Sequence, residues 1–173
     1  YLDPSILRDG KNYYMTHSPF YYAPGFLIWH STDLIHWEPV CRALPEYEGS
    51  AMAPDLLKYQ GRYYIYYPTS TGENFVIYAD NIRGPWSKPV KLDVKGIDPG
   101  HVVGEDGKRY LFTNNGWITP LSDDGLKVTG KSRKVYDGWE YPANWVTEGK
   151  DMYLESPKLL YKDGYYYMMS AEG

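Results

Sequence analysis

Met152-Tyr-Leu-Glu155-Ser-Pro-Lys-Leu-Leu-Tyr-Lys-Asp163-Gly164-Tyr-Tyr-Tyr-Met-Met-Ser170 is the stretch that decides the fold. A carboxylate and a proline open it, a short apolar run reaches Asp163-Gly164, and an aromatic run comes straight back. Asp-Gly between two β-prone runs is the strongest short-range signal of a hairpin. The phrase recurs three times. Asp98-Pro-Gly-His-Val-Val-Gly-Glu-Asp-Gly107 repeats it with the same nine-residue step from acid to glycine. Met52-Ala-Pro-Asp-Leu-Leu-Lys-Tyr-Gln-Gly61 keeps the step with Met in place of the acid, and Asp3-Pro-Ser-Ile-Leu-Arg-Asp-Gly10 is two residues shorter. Three of the four copies therefore carry a carboxylate at the mouth.

The turn glycines Gly10, Gly61, Gly107 and Gly164 stand 51, 46 and 57 residues apart. Repeats of about 40–50 residues built from short strands point to a β-propeller with one four-stranded blade per repeat. The remaining strands fall where a blade needs them. Gly25–His30, Asn74–Ala79 and Gly116–Leu121 read as third strands, and segments from Glu38, Gly84 and Lys134 as fourth strands. The fold class is all-β, with blades at roughly 1–50, 51–95 and 96–150 and the start of the next at 151–173, in one partial catalytic domain. A long loop is expected over 138–149, with Tyr141 and Trp145 in it. The chain begins on a strand motif and stops after a return strand, so it reads as a piece of a longer ring whose further repeats would close it.

Composition narrows the function classes. Gly (17) and Pro (13) are frequent and regularly placed, which suits turns rather than helices, and Tyr alone supplies 20 residues. A net charge of −4 leaves no basic stripe for nucleic acid. No apolar run is long enough for a membrane-spanning helix. The single cysteine, Cys41, rules out an internal disulfide framework and a cysteine-based zinc site. The four histidines show no paired-ligand spacing.

In a propeller the innermost strand of every blade starts at the same face. Asp3, Asp98 and Glu155 would then gather around one funnel, where like charges push one carboxyl toward staying protonated while another stays ionised. Glycoside hydrolysis needs such a pair: an acid for the leaving oxygen, and a base or nucleophile on the opposite face. The structural alternative is that Asp before Pro caps a strand start by bonding local amides. A Glu at one mouth and Met52 at another break the uniformity that such a cap would show.

Asp3-Pro-Ser-Ile, Gly49-Ser-Ala-Met-Ala-Pro-Asp55, Asn74-Phe-Val-Ile-Tyr-Ala with Gly84-Pro-Trp, Gly96-Ile-Asp-Pro99 and Leu154-Glu-Ser-Pro157 together resemble glycoside hydrolase family 43 along the whole chain. The resemblance implies a five-bladed propeller and an inverting mechanism, with Asp3 as general base, Glu155 as general acid, and Asp98 raising the acid's pKa and orienting it. It implies release of xylose or arabinofuranose from plant cell-wall oligo- and polysaccharides, and the 18–37 segment is most similar to xylosidase-like members. Met52 replaces the usual Trp of the Trp-Ala-Pro-Asp motif, removing a flat sugar-stacking surface. Ser156 and Lys158 replace Gly and His of the usual Glu-Gly-Pro-His.

Phe20, Tyr21, Met52 and Trp117 are the candidate substrate-binding residues, with packing between blades as the alternative for each aromatic. No cofactor is called for. A structural calcium in the central channel is compatible with the fold, although no ligand set for one is visible in the sequence. The expected partner is an oligo- or polysaccharide, with no nucleic acid and no membrane span. No residue pattern sets an oligomeric state. Degradation of plant polysaccharides points to a secreted or periplasmic location, and intracellular members of such families are also expected. Two rivals remain: a retaining fructan hydrolase, disfavoured by Ile97 and Ser156, and a propeller that binds glycan or protein without turning it over.

Overall fold

The computed structural model of the chain describes residues 2–47, 49–138 and 154–172. Tyr141 and Trp145 lie outside them. Three four-stranded antiparallel sheets follow one another, each with its strands in chain order. The first is β1 (Ser5–Asp9), β2 (Asn12–Thr16), β3 (Gly25–Ser31) and β4 (Glu38–Leu44); the second is β5 (Asp55–Tyr59), β6 (Arg62–Pro68), β7 (Asn74–Ala79) and β8 (Val90–Leu92). The third is β9 (Gly100–Val103), β10 (Arg109–Thr113), β11 (Trp117–Leu121) and β12 (Arg133–Lys134), and β13 (Leu154–Lys162) pairs with β14 (Tyr165–Glu172) in a hairpin. One 3₁₀ turn, Asn114–Gly116, is the only helical segment among the described residues, and no helix is long and apolar enough to cross a membrane. The chain is part of a β-propeller: three blades and the opening hairpin of a fourth.

The chain divides into two compact units, Tyr1–Asp93 with two blades and Val94–Gly173 with the third blade and the hairpin. Turn chemistry sets the hairpins, though not identically. Gln60-Gly61 and Asp163-Gly164 take positive φ at both residues, the mirror-image turn that matches strand twist. The first hairpin pivots instead on Gly10-Lys11, since Asp9 pairs with Asn12, and the third uses the longer loop 104–108. The second blade's outer strand is shorter than the segment from Gly84 suggests, beginning only at Val90. Pro85 and Pro89 have no N–H to donate to a ladder, so Gly84–Pro89 stays outside the sheet.

In the first unit the core gathers Phe26, Ile28, Ala43, Leu56, Ile65, Tyr67 and Ile77. Strand β6 is buried from Tyr63 to Pro68, so its Tyr-Tyr-Ile-Tyr-Tyr run is covered on both faces rather than alternating. Tyr67 meets Phe26 edge-on at 4.8 Å between ring centroids, and Tyr14 meets Tyr63 edge-on at 6.4 Å. These contacts join the two blades.

Polar pins supplement them. The Leu56 N–H donates to Ser5 Oγ at 2.9 Å. At the far end of β1, Asp9 Oδ2 accepts from Tyr63 Oη at 2.6 Å and from Lys58 Nζ at 2.7 Å. The Lys58 bond first, then that of Tyr63, holds the Asp9 carboxyl below its ordinary value. A carboxyl depressed in the folded state stabilises fully above the unfolded pKa, near 4, and loses that contribution as pH falls through the folded value. Asp9→Asn should lower the stability of the full-length protein by about 1 kcal/mol at pH 7, a figure already reduced for solvent screening of this partly exposed cluster. Urea unfolding of wild type and variant should show that gap shrinking below about pH 4. A gap that stays constant down to pH 2.5 would remove Asp9 as the titrating clamp.

Candidate active site

At or near the start of its first strand each repeat has a residue that precedes a proline, and in all four that residue is left-handed. Asp3 (φ 52), Ala53 (φ 40), Asp98 (φ 57) and Ser156 (φ 49) stand before Pro4, Pro54, Pro99 and Pro157. A pre-proline residue is sterically driven to extended backbone, so each of these bends carries strain of about 1–3 kcal/mol. Asp tolerates the left-handed region better than Ala or Ser. The proline, rather than the acid, is therefore the structural marker of the repeat. On that register Asp3 and Asp98 occupy the bend itself, whereas Glu155 and Met52 stand one residue before it. The match of Glu155 with Asp98 counted from the turn glycine is thus one residue out of structural register. A bulge in β13 between Glu155 and Lys158 accommodates the difference.

In the second unit the bend of the hairpin is tied to the bend of the third blade. The Ser156 N–H donates to Asp98 Oδ2 at 3.2 Å, and Lys158 Nζ donates to the Pro99 carbonyl at 2.9 Å. Lys158, at a departure from the family pattern, thus binds the backbone just after Asp98. Asp98 is 8% exposed, while Glu155 is exposed on β13. The segment leading to Asp98 is pinned as well. Ile97 N–H donates to Asn114 Oδ1 at 2.9 Å, Asn114 N–H donates to the Ile97 carbonyl at 2.8 Å, and Thr113 Oγ1 donates to the Lys95 carbonyl at 2.6 Å. Gly100 lets the hairpin approach: a Cβ there would sit 1.9 Å from the Pro157 carbonyl oxygen.

The first unit holds Asp3, Phe20, Tyr21 and Met52 at the corresponding ends of its blades. Ser18 Oγ donates to Asp3 Oδ2 and accepts the Ala53 N–H at 2.7 Å, and Ser18 N–H donates to the Leu2 carbonyl at 3.1 Å. Asp3 is exposed. Phe20, half-buried with φ 50, donates its N–H to the Ala51 carbonyl at 3.0 Å, next to Met52, whose own N–H goes to the Pro68 carbonyl at 3.0 Å. Tyr21 is 78% exposed, making it the most accessible aromatic of the candidate set. Trp117 starts β11 at the end of the third blade where Asp98 enters, and Lys95 Nζ lies 3.6 Å from its ring centroid. One face of that ring therefore already carries a cation, leaving only the other for a sugar.

His101 is an acceptor for the buried Arg109, whose Nε donates to its Nε2 at 2.9 Å, an ordinary strand histidine. Among the described residues no three His, Cys, Asp or Glu side chains converge to hold a metal ion. Ser18 is the residue that reading the sequence missed. Its only signal was a small hydroxyl residue in the loop just after β2, at the same sheet end as Asp3.

Comparison with known proteins identifies the family. The description "Glycosyl hydrolases family 43" matches residues 1–173. A xylosidase/arabinosidase of Butyrivibrio fibrisolvens is 33% identical over 99% of this chain and 37% of its own length. A xylan 1,3-beta-xylosidase of a Vibrio species is 35% identical over 99% of this chain and 36% of its own. The crystal structure of the family 43 protein BlXynB from Bacillus licheniformis superposes with a TM-score of 0.83 at 34% identity, covering 100% of this chain and 37% of that one. The chain thus spans a little over a third of the length of these relatives.

The approach at Gly100 can be tested directly. Gly100→Ala forces the Pro157 carbonyl away, and overpacking of this kind costs about 1–3 kcal/mol. Thermal unfolding of the full-length variant should begin several degrees lower. An unchanged melting curve would show that the two bends are not packed as described.

Proposed function

The chain belongs to glycosyl hydrolases family 43, and on that premise we propose that the whole protein is an inverting glycosidase that releases xylose or arabinofuranose from plant cell-wall oligo- and polysaccharides. Asp3 acts as the general base that activates water. Glu155 acts as the general acid that protonates the departing oxygen. Asp98 acts on the acid by charge and orientation and transfers no proton. The observation that carries this division is the different environment of three carboxylates. Within this chain Asp3 and Glu155 are exposed, whereas Asp98 is buried with Oδ2 bonded to the Ser156 amide.

Support for a pentose comes from the relatives, whose names include xylosidase and arabinosidase. Phe20 and Tyr21 offer aromatic surface on the loop that carries Ser18, the hydrogen-bond partner of Asp3, and Met52 is an apolar but not flat neighbour that removes a stacking surface at that position. The reaction is assigned to carboxylates alone and uses no cofactor. Acting on plant polysaccharide, the protein would be secreted or periplasmic, with an intracellular location as the alternative.

Glu155→Gln separates proton donation from binding. A general acid contributes about 10²–10⁴ in rate, so the variant should lose activity in that range on xylobiose or an alkyl arabinofuranoside. It should lose less than tenfold on 2,4-dinitrophenyl glycosides, whose leaving group needs no proton. Equal losses on both substrate types would take the acid role away from Glu155. Binding without turnover by the wild type would place the protein among non-catalytic glycan-binding propellers.

A further inference from the structure

Asp3 and Asp98 sit in the same left-handed bend before a proline, yet their carboxylates are held differently. Asp98 Oδ2 takes the Ser156 amide directly and is buried. Between Asp3 and the Ala53 amide stands the hydroxyl of Ser18, and Asp3 is exposed. We infer that Ser18 is the positioning residue for Asp3, holding its carboxylate outward and in a fixed plane to take a proton from the water that attacks the sugar. This inference rests on the proposed role of Asp3 as base.

The hydroxyl's bonding capacity sets the direction. Ser18 Oγ has one proton to give. Its oxygen accepts the Ala53 N–H at 2.7 Å, and an ionised carboxylate can only accept, so the proton points to Asp3 Oδ2. The residue is 6% exposed, so its own hydroxyl is largely shielded from bulk water. Ser18 also grips the chain ahead of Asp3, since its N–H donates to the Leu2 carbonyl at 3.1 Å. One residue thereby fixes both the backbone leading into the strained bend and the side chain leaving it. Oδ2 is engaged, and the proton taken from water goes to Oδ1. The amide that anchors the network belongs to Ala53, the neighbour of Met52, so the second blade's mouth sets the base of the first.

The test compares kcat and KM for Ser18→Ala, Asp3→Asn and the double variant in the full-length protein, using 4-nitrophenyl β-D-xylopyranoside and α-L-arabinofuranoside. Ser18→Ala keeps the backbone bond to Leu2 and removes only the hydroxyl. A misplaced reacting group costs about 10²-fold, so kcat should fall about 10- to 100-fold while KM stays within about twofold. Ser18→Thr, which keeps a hydroxyl, should recover most of the loss, and it replaces the alanine variant as the comparison with wild type if that variant does not fold. In the Asp3→Asn background, Ser18→Ala should cost less than about threefold, because it acts through a group already removed. A Ser18→Ala enzyme within threefold of wild type, or a loss repeated in full in the Asp3→Asn background, overturns the positioning role. Asp3→Asn with near wild-type turnover would instead overturn the base assignment, and the positioning role with it.

Discussion

The proline after each strand mouth is the constraint on which the site depends. It forbids the preceding residue its usual helical bend and removes one backbone donor, and in this protein the chain answers with a left-handed residue four times over. Such bends persist only where surrounding bonds over-determine them. Here those bonds come from the neighbouring mouth. The Ala53 amide reaches Asp3 through Ser18, and the Ser156 amide reaches Asp98 directly. Backbone strain in one blade is thereby coupled to the carboxylate of another.

The two couplings differ by a single hydroxyl, and that difference separates two otherwise similar Asp-Pro motifs. The direct bond holds Asp98 in a buried position suited to orienting a neighbour. The bond through serine leaves Asp3 exposed to solvent. Close packing enforces the second unit's arrangement, because the position opposite the Pro157 carbonyl accepts only glycine. Apolar burial fixes the blades themselves, with Tyr63 and Tyr67 of β6 reaching Tyr14 and Phe26 of the first blade.

Much of this was legible in the sequence. Hairpin signals at Asp163-Gly164 and Gln60-Gly61, and apolar runs at Gly25–His30 and Asn74–Ala79, fell on real turns and strands because local chemistry determines them. The four-strand repeat followed from their spacing. Register at the mouths was harder. Counting from turn glycines placed Glu155 level with Asp98, but hairpin loops vary in length, and the prolines were the invariant markers. Pro4, Pro54, Pro99 and Pro157 would have given the correct alignment. The fourth strand of the second blade was overextended because its aromatic and apolar residues outweighed two prolines. Ser18 was invisible for a different reason: its partners are 15 and 35 residues away, and no local pattern marks a serine whose function is a long-range bond.

The central claim is that Asp3 serves water rather than attacking sugar. Proton NMR of the full-length protein acting on xylo-oligosaccharide and arabinofuranosyl substrates, followed from the first minutes before mutarotation, tests it most directly. The account predicts that the first pentose released carries the anomeric configuration opposite to that of the substrate. Release with retained configuration would contradict it and make Asp3 a nucleophile.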